Sequence, residues 1–155
     1  MAKRILVPLD ETTEHEAILP LVADLARPAG ATVRVLHVAA PPDNVVTEDG
    51  QVIAYMDQEA TRLRVQWLDY LRTVEPLLID VEHEREVRFG YPLAEILAEA
   101  EEFGADLIAV ATSSRKSLKD RLLGSIAADL MKRSTVPVLL LRPRGATDLR
   151  RREHD

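Results

Sequence analysis

Three segments of the chain could line a site for a phosphate-bearing ligand. Gly124-Ser125 stands near the start of an apolar-periodic run, Leu122, Leu123, Ile126, Ala127, Leu130 and Met131, that reads as a helix. A glycine there lets an anion approach the backbone, and the free N–H groups and positive helix end attract phosphate. Ser125 adds a hydroxyl donor. Just upstream, Thr112, Ser113 and Ser114 supply hydroxyls, and Arg115, Lys116, Lys119 and Arg121 make the surroundings basic. A second segment, Pro8-Leu9-Asp10-Glu11, brings acids that could hold Mg²⁺ beside a phosphate. The third is the end of an apolar stretch at Val38. The same residues have plainer uses: Gly124 can permit close packing, Ser125 can cap a helix, and paired acids in a turn can simply be solvated.

Other chemistries find less support. His15, His37, His83 and His154 show no metal-ligand spacing. His37, near the end of a strand-like run, reads as a core or site-lining residue, and His83 as solvated. No serine, histidine and acid fall where a hydrolase triad would need them, and the nucleophile-elbow pattern is absent. Lys116-Ser117 is preceded by Arg115 where a P-loop needs glycine. A phospho-acceptor domain would need an aspartate where Arg88-Phe89-Gly90 stands. Cysteine is absent, which excludes disulfides, thiolate metal sites and thiol nucleophiles. The net charge of −6 argues against tight binding to nucleic acid or an acidic membrane. Arg142, Arg144, Arg150, Arg151 and Arg152 form a basic tail that reads as a solvated end, or alternatively as an anion-binding arm.

The elements that must position these residues alternate. Arg4 to Pro8, Thr32 to Val38, Asp106 to Ala111 and Val136 to Leu141 are short continuous apolar runs, the pattern of strands buried on both faces. Asp80 to Arg88 looks extended but is heavily charged, which suits a sheet edge. Helices are expected from about Ala17 to Ala29 with Pro20 in or near the first turn, over Val52 to Val74, from Pro92 to a stop at Gly104, and over the run containing Gly124. Ala39 to Gly50 and Thr112 to Lys119 read as loops. The length of 155 residues suits one domain, here 1–143, with a polar tail over 144–155. Alternating strands and helices imply an α/β fold, a five-stranded parallel doubly wound sheet with helices on both faces. Ligands of such sheets bind beyond the carboxyl ends of the strands where strand order reverses. Nothing at the N-terminus resembles a leader and no apolar run approaches a membrane span, so a cytoplasmic location is expected.

The opening RILVPLDETTEHEAILPLVADLARPAGATVRVLHV, the middle GYPLAEILAEAEEFGADLIAV and the stretch DLIAVATSSRKSLKDRLLGSIAADLMKRSTVPVLLL together resemble the universal stress protein family. Only the region from Ala39 to Val87 is weakly marked. The resemblance implies strand order 3-2-1-4-5 in a HUP-like nucleotide-binding fold. It also implies an adenine nucleotide, ATP or AMP with Mg²⁺, bound by Pro8, Leu9, Asp10 and Val38 from the first two strands. Val110, Ala111, Thr112, Ser114, Arg115, Gly124, Ser125 and Ile126 complete the set. Asp10 would lie near phosphate or metal, and Val38 beside adenine. The family's nucleotide-binding members carry G-x2-G-x9-G-[S/T]; Gly124-Ser125 match its end, but Ala111 and Ser114 replace its first two glycines. The site is therefore degenerate, and any positive φ at those positions would cost energy. The resemblance further implies a C2 homodimer through the last strand, Val138 to Leu141. A dimeric stress-response binding protein is the expected function; a slow ATPase or other nucleotide-dependent enzyme, with Asp10 the only candidate base, is the alternative.

Overall fold

The computed structural model describes residues 3–10, 16–42, 45–46, 48–111 and 121–142; the side chains of 45–46, 52–54 and 121–125 fall outside that description. The elements are β1 (Arg4–Pro8), α1 (Leu19–Ala29), β2 (Thr32–Ala39), β3 (Val45–Val46), β4 (Val52–Ala54), α2 (Met56–Thr73), a 3-10 turn (Glu75–Leu78), β5 (Glu82–Phe89), α3 (Pro92–Phe103), β6 (Leu107–Ala111), α4 (Arg121–Arg133) and β7 (Val138–Leu141). Five strands form one sheet in the order β5-β2-β1-β6-β7, and every pairing in it is parallel. This is the 3-2-1-4-5 order, with the charged strand at one edge and the apolar last strand at the other.

Parallel strands must be covered on both faces, because their crossovers place helices there. Alternation along β1 sends Ile5 and Val7 into one core with α1, α2 and the 3-10 turn, and Leu6 into the other with α3 and α4. Leu6, Val7, Val33, Val35, Leu36, Ile108 and Ala109 are fully buried, which is why these runs read as continuously apolar. Helix α1 begins at Leu19 with Pro20 in its first turn, where the missing N–H costs nothing. It ends at Gly30, whose φ of 62° is the left-handed cap.

Two sequence expectations change. The helix expected to start at Val52 starts at Met56, and Val52–Ala54 instead pairs antiparallel with Val45–Val46. The hairpin turns through Asp49-Gly50, where Gly50 takes a φ of 79°. Met56, the first residue of α2, is exposed. His83 is half-buried, its Nδ1 2.8 Å from the Val81 carbonyl, and not freely solvated.

Charge on the edge strand is mostly paired. The Glu99 carboxylate on α3 is only 2% exposed. It accepts from Arg34 of β2 at 2.6 Å and from Arg88 of β5 at 2.7 Å. Arg34 also reaches Glu84 and lies 4.1 Å from the Phe103 ring centroid. Arg88 bonds Glu95 and Glu102 as well, and its hydrogen bonds to Glu95 and then Glu99 raise its pKa further. The network ties α3 to the two outermost strands on its side of the sheet. Immediately before β6, Asp106 accepts the Lys3 and Arg4 N–H groups at 2.9 and 3.0 Å. Those bonds hold its pKa below the usual value, so this link is present at neutral pH and is lost as pH falls through that lowered pKa.

Glu99→Ala would leave Arg34 and Arg88 converging on a site with no carboxylate. The expected loss is about 3 kcal/mol, because removing one partner of a buried ion pair strands the other charges. Urea unfolding of the variant should show a lower midpoint at unchanged m, with Glu99→Gln losing less.

Candidate nucleotide crevice

The sheet splits at its centre. Strand β1 pairs with β2 along its whole length, from Arg4↔Thr32 to Pro8↔Leu36. Its pairing with β6 covers only Ile5↔Leu107 and Leu6↔Ile108. Proline explains the difference. The Leu9 N–H donates to the Leu36 carbonyl at 2.8 Å, so residue 9 faces β2 and, by alternation, residue 8 faces β6. Pro8 has no N–H to give there, and the ladder stops. Beyond that point β1 and β6 are joined by no further pairing, and β6 continues alongside β7 to Ala111↔Leu141.

A cavity of about 110 Å³ opens at this split, lined by Pro8, Leu9 and Asp10 of β1 and its exit, Val38 of β2, and Val110 and Ala111 of β6, with Pro92 and Ile96 of α3 and Ile126 and Ala127 of α4. It lies at the carboxyl ends of the strands, where strand order reverses. Among the described residues, Asp10 is the only ionisable one on the lining; the others are apolar. Ala111, although it stands where the family motif has glycine, needs no unusual backbone: among the described residues the only non-glycine with positive φ is Asp80. The neighbouring Val110 packs in the α3–α4 core, whereas Ala111 belongs to the α1–α2 core.

Helix α3 reaches the crevice through a tight entry. The Gly90 N–H bonds the Ala39 carbonyl at 2.9 Å, fixing the end of β5 to the end of β2. Gly90 has a φ of 146°, and a Cβ there would lie 2.7 Å from Glu95 Oε1. Only glycine leaves Glu95 room to fold back and bond Arg88 at 2.7 Å.

The structure thus brings together Pro8, Leu9, Asp10, Val38, Val110, Ala111 and Ile126 of the residues expected from the sequence. Thr112, Ser114 and Arg115 lie outside the described residues. Gly124 and Ser125 fall within the early part of α4, and their side chains are not described. Pro92, Ile96 and Ala127 line the crevice without having been expected to do so. A signal for the first two was available: a crossover helix runs antiparallel to its strands, so its first turn lies at their carboxyl ends. Asp10 does not belong to any cluster suited to a cation, since no group of three His, Cys, Asp or Glu residues that could hold a metal exists among the described residues. No described helix is long and apolar enough to cross a membrane.

Known proteins match over nearly the full chain. The Universal stress protein family model matches residues 1–142. Universal stress protein YxiE of Bacillus subtilis is 29% identical over 150 residues, covering 92% of this chain and 100% of its own. The structure of MJ0577, a universal stress protein of Methanocaldococcus jannaschii, superposes with a TM-score of 0.73 at 25% identity, covering 93% of this chain and 98% of that one. A universal stress protein in complex with cAMP superposes at 0.69 and 18% identity, covering 92% and 98%. With a family model spanning almost every residue and the same sheet order in the fold, the chain belongs to the universal stress protein family.

Proposed function

We propose that the protein is a dimeric regulator of the stress response that binds an adenine nucleotide in the crevice between β1 and β6. The observation that carries this reading is the apolar crevice itself, placed at the strand-order reversal with one carboxylate on its lining. Its volume is well below the ~300 Å³ at which drug-sized pockets begin, which suits a single planar base more than a whole nucleotide. The base enters between Val38 and the α3 and α4 walls, and the ribose and phosphates extend toward the early turns of α4. The family relative with bound cAMP supports the choice of ligand class.

Magnesium fits this site only in company. One carboxylate does not make a cation cage, but Mg²⁺ is commonly held by one or two carboxylates together with substrate phosphates. Asp10 would be the protein's ligand, and the metal would supply charge neutralisation for the phosphates. The reading is of binding and not of turnover, because among the described residues Asp10 is the only group lining the crevice that could act as a base. The dimer is proposed through β7, an edge strand whose Leu140 is exposed. Two such edges related by a twofold axis would cover each other's unpaired backbone.

Calorimetric titration with ATP and Mg²⁺, repeated with AMP and cAMP, is expected to show micromolar binding (about −8 kcal/mol) for at least one of them. Gly124→Arg should abolish it, and absence of heat with all three at several temperatures would overturn the nucleotide reading. Ala111→Gly, which restores the family glycine, should not tighten binding, since no backbone strain exists there to relieve. It should instead destabilise the fold by about 1 kcal/mol in chemical unfolding, through added chain entropy. Leu140→Lys should convert the protein from dimer to monomer in sedimentation velocity; an unchanged sedimentation coefficient would remove β7 as the interface.

A further inference from the structure

His37 is one of two buried polar or charged residues in the described core, 6% exposed. It is not on the crevice side of the sheet. By strand alternation it shares a face with Val33 and Val35, the α1–α2 face. Its ring stacks on Trp67 of α2 with centroids 3.9 Å apart and planes at 30°. Tyr70 stands edge-on to both rings at 6.1 Å. The Nδ1 atom of His37 lies 2.9 Å from the Leu9 carbonyl oxygen. A carbonyl can only accept, so Nδ1 carries the proton and donates it.

This contact falls on the backbone that forms the lip of the crevice. Leu9 is held on both its polar atoms: its N–H by the Leu36 carbonyl and its C=O by the His37 ring. Asp10, the one ionisable lining residue among those described, follows directly on that carbonyl. The same aromatic cluster reaches the far side of the β1–α1 connection, where the Tyr70 hydroxyl donates to Glu16 Oε1 at 2.9 Å. Two side chains on the back of the sheet therefore hold the backbone just before Asp10 and the side chain of Glu16.

The geometry points to His37 as a positioning residue for the crevice: by donating to the Leu9 carbonyl, with its ring fixed by Trp67, it sets where the Leu9-Asp10 backbone stands for the ligand. It touches no ligand itself. As a matter of binding, this inference rests on the nucleotide reading above; as a matter of backbone order, it does not.

Two substitutions separate the hydrogen bond from the packing. His37→Phe keeps a ring against Trp67 and removes the donor, leaving a buried carbonyl without that partner. His37→Asn sacrifices the stacked ring but can place an amide N–H near the former Nδ1 position. If His37 positions the lip, AMP or ATP affinity falls about tenfold in His37→Phe and less in His37→Asn, even though the smaller asparagine lowers the melting temperature more. Affinity that instead follows melting temperature across the two variants would reduce His37 to a core residue and overturn the inference. A second readout needs no ligand: amide exchange at Leu9, measured by NMR, should quicken in His37→Phe and stay near wild type in His37→Asn. Wild-type exchange at Leu9 in His37→Phe sinks the positioning role. Should wild-type protein bind no nucleotide, the ligand assignment fails while Leu9 exchange still decides the role of His37.

Discussion

The organisation of this molecule hangs on a strand that must satisfy two neighbours and stops satisfying one of them. In an all-parallel sheet the central strand gives alternate residues to each side, so one missing N–H affects only one ladder. Pro8 removes that donor on the β6 side while leaving the β2 side paired to its end. The crevice lined by Pro8, Asp10 and Ala111 follows from this asymmetry. The helices of the two crossover families lie on opposite faces, and the seam between β1 and β6 is where coverage by α3 and α4 meets strands that no longer hold each other.

A seam of this kind needs rigid walls, and here they come from charge as much as from apolar packing. Helix α3 is anchored to the sheet by Ile96, Ala100 and Phe103 on its inner face and by the Glu99 carboxylate reaching two arginines. A buried carboxylate is a poor stabiliser compared with a well-packed hydrocarbon, but it is directional. Arg34 and Arg88 come from adjacent strands at a fixed register, so Glu99 can meet both only when α3 sits at one height along the sheet. That height also sets where Pro92 and Ile96 stand over the crevice. The charged character of β5 thus serves two ends: it dresses an edge strand and it indexes a helix.

Much of the fold was legible because two-sided burial leaves a plain mark. Ile5 to Val7 and Ile108 to Ala111 are apolar without alternation, and only strands covered on both faces require that. The charged run at Glu82 to Arg88 identified its own place at the edge. The hairpin of Val45-Val46 and Val52–Ala54 was missed because Val52 and Met56 have helical spacing, and that pattern outweighed the Asp49-Gly50 turn between two β-branched pairs. Of the crevice, the strand-end residues could be read, since fold class alone places them. Pro92, Ile96 and Ala127 could not be read as lining residues from apolar periodicity, which says that a face is covered but not what it covers. Contacts such as His37 to Leu9 leave no trace in composition or spacing: they join a ring to a backbone carbonyl on a neighbouring strand. Ala111 illustrates the converse. A motif comparison marks it as a defect, whereas the backbone shows an ordinary strand residue whose methyl has a home in the α1–α2 core.

The two edges of the sheet are chemically unlike. One presents glutamates and arginines in alternation along β5; the other presents Val138 to Leu141. For growth by strand addition this difference acts as a terminator. A copy that joined through its apolar edge would turn only its ionic edge outward, and an ionic edge offers a third copy no dry surface to cover. If copies join through β7, assembly along the sheet would have a first step and no second one, and the strand at the other margin would keep the pair from growing into a fibre.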